Sequence, residues 1–185
     1  MQPIKILYIH GYGSGENSIT GSEIQRKLGD KAKVFMPGFS NEVEKFDNML
    51  ANIQKAQEFV SENKIDLVIA SSMGGFTALQ VKGVRKILIN PCMVPSDIFR
   101  MEILPDISNA EIEKYLEMEN QTISLEEINM TYSLFATHDE LFSYKQRFDQ
   151  LYDASKSFSM PGKHVISPKN IRENLLPLIN QLFPL

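Results

Sequence analysis

Residues 66–81 read DLVIASSMGGFTALQV. Asp66 to Ala70 make a short apolar run with β-branched Val68 and Ile69, the pattern of a buried strand. Two serines, a methionine and two glycines follow, and Phe76, Ala78, Leu79 and Val81 then open an apolar helix. Strand, tight turn and helix are the setting in which a G-x-S-x-G elbow has physical meaning, because the turn lifts one serine hydroxyl above the sheet edge. The positions two before and two after that serine must be small, since strand and helix nearly touch there. For Ser72 these are Ala70 and Gly74; for Ser71 they would be Ile69 and Met73, which would clash. Ser72 is therefore the candidate nucleophile. The competing reading is a Gly-rich turn with an ordinary, satisfied serine.

Working outward, the run IKILYI at 4–9 predicts a first strand, followed by the glycine-rich loop His10-Gly11-Tyr12-Gly13-Ser14-Gly15. Such a loop can cradle a pyrophosphate, but here the third glycine falls one place early and Glu16 stands where the dinucleotide fingerprint wants Gly or Ala. It can also turn a backbone N–H toward a developing oxyanion, which fits better; a plain turn is the remaining alternative. Thr20 with Glu23 and Asn41 with Glu44 offer capping boxes for two helices, the second running to about Ser61. Further strands are expected at 33–36, 86–90, 131–136 and 156–160. Ser108 with Glu111 and Ser124 with Glu127 open two short helices. A helix is expected at 145–152, and a last one from Pro168 to about Leu182, kinked or divided at Pro177. Strands alternating with helices predict an α/β fold: a mostly parallel sheet of about six strands with helices on both faces. Residues 92–129 break the alternation with a helical insertion of roughly forty residues, long for a connection. It follows the sheet edge that carries Ser72, so a lid is expected, with peripheral packing as the alternative.

The chain has 185 residues, the size of a single domain spanning 1–185. Its net charge is −4 with no Lys/Arg cluster, which gives nucleic acid no electrostatic footprint. One cysteine, Cys92, excludes an internal disulfide and fits a reducing, cytoplasmic location. The N-terminus reads as a strand with no signal peptide, and no stretch is long and apolar enough for a membrane span. No His/Cys/Asp cluster has metal-ligand spacing, so no metal is expected.

In a parallel sheet, ligands sit at the carboxyl ends of the strands. The glycine loop, Ser72, Asp139 and His164 all fall there, in the order Ser…Asp…His that this architecture uses. Among three histidines, His10 is better placed to order the oxyanion loop with Gly11, and His138 points away from its neighbour Asp139. His164 is the candidate base, and Asp139 the candidate acid, with Glu140 and Asp97 as alternatives. Cys92, outside any elbow, reads as a buried small hydrophobe.

With YIHGYGS, ASSMGGF, INPCMVP, THDELF and GKHV in place, the chain resembles the α/β-hydrolases, most closely the small single-domain bacterial esterases of the YqiA-like group. The departure is Ala70 in place of the elbow glycine. The resemblance implies a three-layer α/β-hydrolase sandwich and a serine hydrolase acting on ester or thioester bonds without a cofactor. A triad of Ser72, Asp139 and His164 would form an acyl-enzyme, with the backbone N–H groups of Tyr12 and Met73 as oxyanion hole. Phe99, Met101, Ile103 and Leu104, close together in the insertion, are expected to line an acyl pocket favouring apolar chains. A small-molecule ester or thioester is thus the expected partner. Acyl transfer, a non-catalytic binding protein of the same fold, and dinucleotide binding are the alternatives.

Overall fold

All six β-rich runs become strands: β1 (Ile4–Ile9), β2 (Ala32–Phe35), β3 (Leu67–Ser71), β4 (Arg85–Ile89), β5 (Thr131–Ala136) and β6 (Ser157–Met160). The computed structural model describes residues 2–100 and 107–184. The helices are α1 (Ile19–Leu28), α2 (Phe46–Asn63), α3 (Met73–Gln80), α4 (Pro95–Arg100), α5 (Asn109–Glu119), α6 (Leu125–Met130), α7 (Lys145–Leu151), α8 (Pro168–Asn170) and α9 (Leu176–Leu182). The strands form one sheet in the order β2-β1-β3-β4-β5-β6, every neighbouring pair parallel.

Side chains alternate across each strand, so both faces present apolar residues that must be covered. Ile6, Tyr8, Ile69 and Ile87 face one layer, where Ile24 and Leu28 of α1 and Leu178 and Ile179 of α9 close over them. Leu7, Val68, Ala70 and Leu88 face the other, against Ala56 and Val60 of α2, Ala78 of α3 and Phe148 of α7. This is the three-layer sandwich the sequence implied. Strand order reverses between β1 and β3, and a crevice opens at their carboxyl ends.

The helix starts show where local signals are overruled. Ser18, not Thr20, caps α1 by accepting the Gly21 N–H at 3.4 Å. The Asn41–Glu44 box does not form; α2 begins at Phe46, whose N–H is taken by Glu111 Oε2 at 2.8 Å, from 65 residues away. Asn41 instead accepts the Gly13 N–H at 3.1 Å and donates to the Ser14 carbonyl at 2.8 Å, tying down the glycine loop. The Ser108 and Ser124 caps form as expected. Pro177 can donate no N–H, and the helix is divided before it by a wider π turn over Ile171–Leu175.

Within the insertion, Tyr115 of α5 is fully buried, its hydroxyl donating to the Val43 carbonyl. Its ring lies 4.8 Å from both Phe46 of α2 and Phe99 of α4, centroid to centroid. These residues and Phe76 of α3 form a third core cluster that anchors the insertion. Among the described residues no helix is long and apolar enough to cross a membrane.

Candidate active site

Ser72 is the single residue between β3 and α3, at φ 52° and ψ −126°. Non-glycine residues rarely adopt such a backbone, which costs about 1–3 kcal/mol and persists where the surroundings enforce it. Its N–H donates to the Ile89 carbonyl at 3.1 Å, and its carbonyl accepts from Gly75 at 2.8 Å and Cys92 at 2.9 Å. Space enforces it too. A Cβ on Gly74 would lie 2.4 Å from the His10 carbonyl oxygen and 2.5 Å from that of Ile9, and one on Gly75 would lie 2.6 Å from Pro91 Cβ. A Cβ on Gly11 would stand 2.9 Å from Ser72 Cβ. Gly74→Ala must therefore push α3 off β1, and we expect it to cost about 1–3 kcal/mol, read as a lowered urea midpoint.

His164 lies in the loop after β6. Its Nδ1 is 2.9 Å from Oδ2 and 3.1 Å from Oδ1 of Asp139, and Oδ1 also accepts the Leu141 and Phe142 N–H groups at 2.8 and 2.9 Å. With Nδ1–H donated to Asp139, Nε2 keeps its lone pair, the tautomer a general base requires. Both side chains are nearly buried, and the edge of Phe142 meets the imidazole at 4.8 Å.

The His164 peptide is gripped from two strand ends. Glu140 Oε2 accepts its N–H at 3.0 Å, and this bond holds the Glu140 carboxyl below the usual carboxylate range. Asn90, at φ 44° just beyond β4, donates from Nδ2 to the His164 carbonyl at 2.6 Å. Asn90 Oδ1 in turn accepts the Ala136 N–H at 2.7 Å, beyond the reach of any local pattern. Asn tolerates a left-handed backbone better than most residues, and Asn90-Pro91 at a strand end was the one available hint.

The other candidates separate by geometry. Asp97 of α4 lies 3.5 Å from the Tyr144 hydroxyl, and Glu140 holds backbone, so Asp139 is the carboxylate on the imidazole. Nδ1 of exposed His138 meets Thr137 Oγ1 at 2.9 Å. Buried His10 accepts the Phe39 N–H on Nε2 at 3.0 Å, so its proton sits on Nδ1 and is donated to the Gly11 carbonyl at 2.9 Å. Cys92 is completely buried, which pushes its thiol well up and leaves it un-ionised.

Ser72 and His164 line one cavity of about 370 Å³, together with Gly11, Tyr12 and Met73. Among the described residues Ser72 Oγ has no hydrogen bond to His164; such bonds commonly tighten only around bound substrate. The apolar lining is Ile98, Leu141, Phe142, Val165 and Ile166. Phe99 is not part of it: on the six-residue α4 its ring turns inward onto Tyr115, and Ile98 is the residue that reaches the cavity. Met101, Ile103 and Leu104 lie outside the described residues.

A parallel sheet in this order, with a serine on a strained strand–helix turn and an Asp–His pair on the loops after β5 and β6, defines the α/β-hydrolase class of fold. Solved structures agree. The chain superposes on a protein of the α/β hydrolase superfamily from Xanthomonas campestris with a TM-score of 0.63 at 16% identity, covering 100% of both chains. It matches Est1E from Butyrivibrio proteoclasticus with a TM-score of 0.64 at 15% identity, covering 100% of this chain and 90% of that one. A thermophilic esterase from Thermogutta terrifontis gives 0.63 at 13% identity, over 98% and 91%. The chain belongs to the family described as Uncharacterised protein family (UPF0227), whose model matches residues 5–181, in keeping with the YqiA-like resemblance. No curated protein matches it.

Proposed function

We propose that the chain is a serine hydrolase that cleaves carboxylic ester or thioester bonds through an acyl-enzyme. One observation carries the reading: Ser72, on its strained turn, shares a cavity with an imidazole whose Nδ1 is held by a buried carboxylate. Ser72 Oγ attacks the acyl carbon while His164 Nε2 takes its proton and later delivers it to the leaving group. Asp139 fixes the tautomer and stabilises the imidazolium. Met73 opens α3, so its N–H has no carbonyl within the helix to meet. With the N–H of Tyr12 it would bind the oxyanion, each donor contributing about 3 kcal/mol to the barrier. The apolar lining suits a hydrocarbon portion of the substrate, and the lone buried Cys92 is compatible with a reducing cytoplasm.

Rapid-quench kinetics with p-nitrophenyl acetate tests the reading. A burst of one nitrophenolate per Ser72, with an acetyl group on the Ser72 peptide, is the expected result; linear release without acetylation would contradict it.

Glu140 acts in this scheme as a positioning residue. Glu140→Ala frees the His164 peptide on one side, and kcat should fall about 10- to 100-fold with KM little changed. Glu140→Gln keeps an acceptor oxygen and should recover most of the rate.

A further inference from the structure

One pair of groups in the cavity has no part in the acyl-transfer scheme. Tyr8, on β1, and Ser71, at the end of β3, both line it, and their hydroxyl oxygens are 2.8 Å apart. Tyr8 is only 2% exposed, its ring fixed in the core beneath α1. The register of the two strands sets Tyr8 opposite Ile69, which carries Ser71 to the height of the tyrosine hydroxyl. Each hydroxyl owns one hydrogen and two lone pairs, and their mutual bond consumes one hydrogen. Neither has another hydrogen-bond partner in the protein among the described residues. One O–H donor is therefore left over, in the cavity wall and one residue from Ser72. No Lys, Arg, Asp or Glu is among the described residues lining the cavity, a wall that suits a neutral acceptor.

On the hydrolase reading above, we propose that the Tyr8–Ser71 hydroxyl pair is a specificity determinant for esters carrying a neutral oxygen (ether, keto or hydroxyl) close to the scissile bond. A methylene seated against the pair leaves a buried O–H unpaired, whereas an oxygen in the same place accepts it. Sites built to hydrogen-bond a substrate discriminate strongly against isosteres lacking the partner, because the site's own polar group is then stranded. That single bond, whichever hydroxyl donates it, holds both oxygens in place. Neither residue has a part in the acyl-transfer scheme, so the pair acts on choice of substrate and not on the proton transfers.

Two isosteric pairs test this and separate the acyl from the alcohol half of the substrate. For the acyl half, kcat/KM is measured for p-nitrophenyl methoxyacetate against p-nitrophenyl butanoate; for the alcohol half, 2-methoxyethyl acetate against butyl acetate. Dividing each ether-to-hydrocarbon ratio for wild type by that for the variant cancels intrinsic reactivity. In one arm, the ratio should fall about tenfold in the Tyr8→Phe, Ser71→Ala double variant and by a smaller factor in each single variant. The single variants carry the same test should the double variant not fold. Ratios unchanged in both arms would overturn the hydroxyl pair's role and leave the hydrolase reading standing. No turnover of any of the four esters by wild type would overturn that reading, and this proposal with it.

Discussion

Ser72→Ala is expected to lower kcat for ester hydrolysis by about 10⁶-fold while leaving the melting temperature within a degree or two of wild type. The two halves of that expectation have separate causes. The rate falls because the only hydroxyl on the strained turn is gone, and removing a nucleophile costs about as much as removing the whole triad. Stability holds because the Ser72 side chain makes no capping bond to α3, so its loss strands nothing. Alanine at φ 52° carries the same backbone strain as serine. Glycine does not, and Ser72→Gly should be equally inactive yet more stable by about 1 kcal/mol. Parallel thermal melts and p-nitrophenyl acetate assays check both halves. Comparable activity in Ser72→Ala would remove Ser72 from the chemistry.

Asp139→Asn should reduce kcat by about 10⁴-fold with KM nearly constant. The carboxylate accepts Nδ1–H of His164 and also the Leu141 and Phe142 N–H groups. An amide can keep its oxygen on the backbone donors and turn its NH₂ toward the imidazole. Nδ1 must then accept, the proton moves to Nε2, and the base faces Ser72 in the wrong tautomer. The loss should appear as a slower burst, since attack and not deacylation alone needs the base. A variant within tenfold of wild type would mean that another carboxylate orients the imidazole.

Much of the fold was legible because it rests on local patterns. Each strand is a short run carrying β-branched or aromatic residues, and each lands within one residue of its expected bounds. The elbow was legible for the same reason: Ala70, Ser72 and Gly74 are small residues at spacings that a strand–helix turn demands, and the contacts around Gly74 give the cause. What escaped was set by distant parts of the chain. No local rule tells that Glu111 will cap α2 and leave Asn41 free to hold the glycine loop. Likewise, Asn90 and Glu140 meet at His164 only because β4 and β5 are neighbours. The acyl-pocket expectation placed Phe99 by sequence proximity alone. On a helix, adjacent residues face about 100° apart, so Ile98 reached the cavity and Phe99 the core.

The most direct measurement is labelling with a fluorophosphonate, which reacts with an activated serine and not with a satisfied one. Wild type, Ser72→Ala and His164→Ala would be treated in parallel and the modified peptide identified by mass spectrometry. An Ser72 activated by His164 predicts one label, on the Ser72 peptide, absent from Ser72→Ala and formed far more slowly in His164→Ala. Folded wild-type protein that takes no label, or takes it equally after either substitution, would contradict the account.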